Sequence, residues 1–317
     1  MITLGMSLFG PINLGLTING TNGNDSLIGD ILGDKIYGLG GNDSLSGKDG
    51  NDVLYGGSAN VAELNSGNDY LDGGYGDDRL YGADGNDILL GGYGKDTLWG
   101  GIGSDKLYGG YDNDTLYGEA SIDTLYGDQG NDCLSGGTEN DLLYGGDGND
   151  AMFGDGGNDY LDGGAGNDSL SGWNPFGSSA NDVDTLTGGT GNDTLVGGFG
   201  NDSFTGGAGQ DSFAFQGYGQ GVTRISDFNS YDDTIVITSG YFGGISKNRF
   251  LSDTEFSLGS SATSSSTRFI YNRSTGDLFF DPDGTGSSSA VKFAQLNPNT
   301  FLYNTDIYIS NLTSILT

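Results

Sequence analysis

The side chains in this sequence best suited to chemistry are aspartates, and they return every nine residues. Asp25, Asp34, Asp43 and Asp52 open the series. It resumes at Asp69 and runs through Asp78, Asp87, Asp96, Asp105, Asp114, Asp123, Asp132, Asp141, Asp150, Asp159 and Asp168. It closes with Asp184, Asp193, Asp202 and Asp211. A carboxylate is a hard oxygen donor, and calcium takes roughly six to eight such oxygens in flexible geometry. A carboxylate at fixed period among glycines is hard to explain by packing and easy to explain if each copy binds a cation. All twenty are therefore candidate metal ligands.

The surroundings of each aspartate say how it is positioned. Two residues after it comes a large apolar side chain, from Leu27 and Ile36 through Met152 to Phe204 and Phe213. Before it come glycines, as in Gly91-Gly92-Tyr93-Gly94-Lys95-Asp96. The unit G-G-x-G-x-D-x-U-x, with U apolar, is the signature of calcium-binding parallel β-helix repeats. Glycine permits the left-handed turn and leaves backbone carbonyls free to face a metal. The x-U-x segment predicts a three-residue strand with U pointing inward, because strand side chains alternate.

A three-residue strand must reverse twice per coil, so two nonapeptides make one coil and copies eighteen residues apart stack. One column then holds Asp25, Asp43, Asp69, Asp87, Asp105, Asp123, Asp141, Asp159, Asp184 and Asp202; the other holds the remaining ten. One ion in each gap between stacked turns gives an upper limit of about 18 Ca2+. Two copies are degenerate. Leu32 replaces the third glycine before Asp34, and Glu119-Ala120-Ser121 displaces two glycines before Asp123, so these turns are expected to hold calcium weakly or not at all. Asp112 and Glu139 also replace a glycine, and offer an extra acid.

Of 317 residues, 63 are Gly, and 11 basic residues face 43 acidic ones, for a net charge of −32. Such a polyanion has no basic patch for nucleic-acid phosphates and is repelled by anionic membranes. About 18 divalent ions, roughly +36, would offset the whole deficit. Binding energy then becomes folding energy. The expected result is a chain unfolded in the cell and folded outside it, where calcium modules bind at about 10⁻⁴–10⁻³ M. No apolar run is long enough to cross a membrane. The start, Met1 to Pro11, lacks the basic region of a secretory signal peptide. The single cysteine, Cys133, excludes an intramolecular disulfide. Without histidine there is no H-E-x-x-H zinc motif and no Ser-His or Cys-His pair, so the chain is not expected to be an enzyme.

Three regions follow: 1–19, a lead-in or cap; 20–215, the repeats; and 216–317, where glycine falls and β-branched and aromatic residues rise. Insertions lie near Ser58–Asn65 and from Gly172 to about Asn181, with Trp173 and Phe176 expected to fold back over the coil edge. In the last region Asp233–Ile237, Arg268–Tyr271, Leu278–Phe280 and Asp306–Ile309 read as strands, and Ser260–Ser266 as a loop. The expected fold is all-β: a right-handed parallel β-roll closed by a C-terminal antiparallel β cap, since solenoids need terminal caps.

The repeats resemble the RTX, or haemolysin-type calcium-binding, family. The tail is similar too, at Ile225-Ser226-Asp227-Phe228 with Asp233-Thr234-Ile235, and at Asp281-Pro282-Asp283-Gly284-Thr285-Gly286. The resemblance implies an extracellular protein exported by type I secretion machinery through an uncleaved C-terminal signal, with any catalytic domain of the family lying upstream of the repeats. Asp306-Ile307-Tyr308-Ile309 fits the usual signal ending, but Ser310–Thr317 extends past it. Asp281 and Asp283 offer a further calcium site; a plain β-turn is the competing reading.

A second class of function rests on the residue three after each aspartate, which should face outward. It is aromatic at Tyr37, Tyr55, Tyr81, Trp99 and Tyr117, and at Tyr108, Tyr126 and Tyr144. Such a ladder offers a glycan-binding, adhesion, surface-layer or self-association surface. Cross-strand stacking that stabilises the sheet is the plainer reading. Thr97, Thr115, Thr124, Thr185 and Thr194 are too scattered for the regular threonine rows that ice binding wants.

Overall fold

The computed structural model describes residues 15–58, 67–173, 182–218, 221–240, 242, 243 and 245–310. Residues 1–14, both insertions apart from their edges (Phe176 included), and 311–317 therefore lie outside the described residues. The strands form two sheets, of 14 and 15 strands, and as far as Thr234–Thr238 the chain gives one strand to each in turn. Through the repeats each strand pairs in parallel with the one two places on, so one coil is two nonapeptides. Leu98 pairs with Leu116, and Leu107 with Leu125, both at the expected eighteen-residue offset. The insertions lengthen single turns without breaking register: Leu45 pairs with Leu71, and Leu161 with Leu186.

The core is one residue wide. Every U side chain from Ile36 to Phe213 is at most 1% exposed, and these leucines stack in two files between the sheets. Burying a leucine stabilises by about 2 kcal/mol. Position U is apolar without exception because it alone fills the space between the two sheets with a large side chain.

Two features differ from the sequence expectation. Most strands of the repeats are six residues long, not three: Tyr70–Tyr75, Ile88–Tyr93 and Lys106–Tyr111 carry the ladder through the glycine pair into the turn. Glycine is a poor strand former by propensity, but here both flanking coils supply partners at fixed spacing. Nor is residue 215 a structural break. Thr223–Ile225 and Thr234–Thr238 continue the two sheets in parallel, and Ile307–Ser310 adds a further parallel strand beside Thr234–Thr238. The antiparallel cap is present beyond that point, as Phe269–Asn272, Asp277–Phe280 and Val291–Gln295. Phe242, Phe269, Phe280 and Phe293 fill its interior edge-to-face and tilted. At the other end, Thr17–Asn19 already pairs with Lys35–Tyr37, so the sheet begins inside the lead-in. Trp173 folds over the coil edge as expected: a Cβ at Gly198 would lie 2.7 Å from the Trp173 Cβ. Among the described residues no helix is long and apolar enough to cross a membrane.

Candidate metal centre

The turns bring the aspartates together in two columns. In each, a backbone N–H donates to Oδ1 of the aspartate one coil on: Asp69 to Asp87 at 2.7 Å, Asp96 to Asp114 at 2.8 Å, Asp141 to Asp159 at 2.8 Å. Across the second insertion Asp159 still reaches Asp184, at 2.9 Å. From Asp34 to Asp211 these residues are at most 3% exposed. Asp25 heads its column and donates to Asp43 at 2.8 Å.

The second carboxylate oxygen is different. Sixteen of the twenty, from Asp43 to Asp168 without exception and again at Asp193 and Asp202, have a buried Oδ2 with no hydrogen-bond partner. No basic side chain balances them. The ion pairs among the described residues, Arg249–Glu255 and Lys292–Asp277, both lie in the tail. Burial, partly offset by the backbone N–H, pushes Asp52 up to about 6, Asp69 to about 7, and Asp87 and Asp141 to about 8. An isolated buried carboxylate is costly unless it is protonated, paired or bound to a cation.

The space at Oδ2 fits a cation. A Cβ at Gly91 would sit 2.5 Å from both Asp96 Oδ2 and the carbonyl oxygen of Gly109, one coil on. Gly118 repeats the arrangement with Asp123 Oδ2 and Gly136, both at 2.5 Å. Any side chain there would fill the cradle, which is why that glycine recurs. Nowhere among the described residues do three His, Cys, Asp or Glu side chains converge. The donor set is instead one carboxylate per turn with glycine carbonyls, hard oxygens suited to calcium and unsuited to thiolate- or imidazole-seeking metals. Calcium held there by the repeat aspartates would supply the positive charge that their buried oxygens lack.

The ends of the columns are built differently. Asp25 Oδ2 accepts the N–H and hydroxyl of Thr21, at 2.6 and 2.9 Å, and Asp34 Oδ2 accepts the N–H of Asp30 at 2.7 Å. Their second oxygens are thus already satisfied. Asp123, the other degenerate copy, keeps the interior geometry. It is 0% exposed, its Oδ2 has no partner, and its turn has the same form as its neighbours. Glu119 and Ser121 take left-handed φ values of 75° and 88° where glycine would stand, so the turn survives at the expense of strain. Asp112 and Glu139 do likewise at 74° and 79°, with their side chains exposed, so they do not join the columns.

Three elements escape a reading of the aspartate period alone. Asp233 continues the second column: it accepts the Asp211 N–H at 3.1 Å, and its Oδ2 accepts Asn229 N–H at 2.8 Å. It lies outside the nonapeptide spacing, and only its place before the strand Thr234–Thr238 signals it. Second, the residue before the aspartate is usually asparagine, and these form an outer ladder running the other way. Asn42 N–H donates to Asn24 Oδ1 at 3.0 Å, and Asn167 to Asn149 at 2.8 Å. Third, Tyr75, Tyr93 and Tyr111 stack at the strand ends.

The expected aromatic ladders are both present. Tyr37, Tyr55, Tyr81 and Trp99 stack at 4.4 to 4.9 Å within 7° of parallel, and Tyr108, Tyr126 and Tyr144 at 4.9 and 5.0 Å. Ring faces are spent largely on one another, and these side chains are half-buried. In the tail, Asp281 Oδ1 accepts the N–H groups of Asp283 and Gly284, at 3.2 and 2.8 Å, the bonding of a turn.

None of the curated proteins compared matches the chain. Among solved structures, it is similar to a hyperactive, Ca2+-dependent, beta-helical antifreeze protein from an Antarctic bacterium. That likeness has 18% identity over 85% of this chain and 96% of the other, with a TM-score of 0.28, too low to carry an argument. The family model for the RTX calcium-binding nonapeptide repeat matches in overlapping stretches over residues 17–61, 63–170 and 178–213, more than half the chain. The buried aspartate columns thus sit on a matched family sequence, and the chain belongs to the RTX calcium-binding nonapeptide repeat family.

Proposed function

We propose that this protein is exported and folds outside the cell on binding many calcium ions, up to about 18 by the gaps between stacked turns. The observation that carries the reading is the file of buried, donorless Oδ2 atoms. Without a cation, the folded roll must protonate them or leave them uncompensated. Millimolar calcium outside the cell and its scarcity inside would make the ion a folding switch. Export by a type I system through the C-terminal region follows from the family resemblance of the tail. Catalysis has no part in this reading, since the chain holds no histidine. Circular dichroism with and without calcium tests it; a β-rich spectrum in chelator at neutral pH would overturn the switch.

One observation favours a second reading, a glycan-binding or adhesive surface. Beside Tyr55, Tyr81 and Trp99 runs an open trough of about 390 Å³, floored by Gly57, Ala83 and Gly101 and reaching Glu119. Glycan-array binding that survives Trp99→Ala would count against it.

A further inference from the structure

We propose that Tyr75, Tyr93 and Tyr111 form an oxidative coupling site, where a peroxide-driven one-electron oxidant joins neighbouring rings into dityrosine. The three residues are in register on adjacent strands of one sheet. Their ring centroids are 4.7 and 4.4 Å apart, with planes 6° and 1° from parallel. Among the tyrosine ladders of the described coils they are the open one, at 58%, 45% and 43% exposure, whereas the other two ladders are half-buried. The column is bounded by Asp49 on one side and Gln129 on the other, so the reaction is confined to three rings.

The chemistry suits this arrangement. Loss of one electron and the phenolic proton turns a tyrosine into a radical whose unpaired density lies on the oxygen and the two ortho carbons. Two such radicals form a carbon–carbon bond between ortho positions. Each of those carbons then releases its hydrogen as a proton and the phenol O–H is restored. The pair loses two electrons and two protons in all, and hydrogen peroxide takes them up in becoming two waters. The new bond forms between facing π surfaces, the approach that parallel stacking enforces. Holding the partners face to face makes coupling within one chain far faster than between chains. A chain with a single cysteine has no intramolecular disulfide to staple its coils. A bond from Tyr93 to Tyr111 would tie two successive coils covalently.

The test is to treat the calcium-loaded full chain, dilute, with a peroxidase and hydrogen peroxide. The expected product is a monomer with dityrosine fluorescence, lighter by two hydrogens per bond, whose peptide map joins Tyr93 to Tyr75 or Tyr111. Tyr93→Phe keeps the ring stack but removes the shared partner, and should lower the fluorescence about tenfold. Tyr231, at 93% the most exposed aromatic ring, lies outside all three stacks, and Tyr231→Phe should leave the yield unchanged. Coupling that runs through Tyr231, that joins separate chains, that persists in Tyr93→Phe, or that does not occur at all would overturn the proposal.

Discussion

The backbone N–H of Asp96 donates to Oδ1 of Asp114 at 2.8 Å, while Oδ2 of the same Asp114 is buried without a donor. One oxygen holds the coils in register and the other is left for a cation. Repeated along both columns, this division of labour makes the family's calcium chemistry a property of the stack rather than of any single turn.

The contrast between interior and terminal copies predicts unequal effects of mutation. Asp114→Asn should remove one or two bound calcium ions and weaken binding in the adjoining gaps. Asp34→Asn, whose carboxylate already accepts the Asp30 N–H, should leave the stoichiometry unchanged. Native mass spectrometry in calcium counts the ions; equal losses from both variants would contradict the distinction.

Burial gives the metal-free roll a definite pH dependence. Asp69, Asp87 and Asp141 are pushed from 3.8 up to about 7, 8 and 8. A raised folded pKa contributes stability that is complete below the unfolded value near 3.8 and lost as pH rises through roughly 7–8. In chelator the chain should therefore be more folded at pH 5 than at pH 8. With calcium present, deprotonation favours the ion, so the calcium needed for half-folding should fall as pH rises. Circular dichroism titrations at the two pH values check both signs.

Strained turns should be improvable. Ser121 and Glu139 hold left-handed φ values of 88° and 79°. Replacing either by glycine should stabilise the calcium-loaded roll by about 1 kcal/mol, since non-glycine residues are strained by roughly that amount there. A rise in melting temperature is the readout, and a fall would show that the native side chain makes an offsetting contact.

The Arg249–Glu255 pair in the tail responds to acid in the opposite sense to the aspartate columns. The Arg249 guanidinium, at 2.7 Å from the Glu255 carboxylate, together with Ser252, holds Glu255 down at about 2. That contribution is present above the ordinary value of 4.5 and is lost as pH falls through about 2. Glu255→Gln should therefore flatten the acid limb of the tail's unfolding, followed by near-ultraviolet circular dichroism, without changing the calcium count.

The repeat was legible because its chemistry is local. Glycine, aspartate and one apolar residue recur at fixed offsets, and only one winding stacks both the leucine files and the aspartate columns. What the sequence concealed depends on neighbours. The six-residue strand Tyr70–Tyr75 runs through glycines that propensity would exclude, because the adjacent coils supply its partners. Glu119 and Ser121 take the place of the turn's glycines before Asp123, yet the turn keeps its form because Glu119 pairs with Gly101 and Gly137 on the flanking coils. The Asn24–Asn42 ladder sits at a position the motif leaves open, and Asp233 joins its column only after a change of spacing.

The central claim is that the paired columns of buried Oδ2 atoms take calcium and fold the chain by doing so. Titrating the calcium-free chain at neutral pH, with folding followed by circular dichroism and bound ions counted by native mass spectrometry, tests it most directly. The account predicts a disordered spectrum at zero calcium, a cooperative rise of β signal, and about 18 or fewer ions bound at its plateau. A β-rich chain in chelator, or a folded chain carrying only one or two ions, would contradict it.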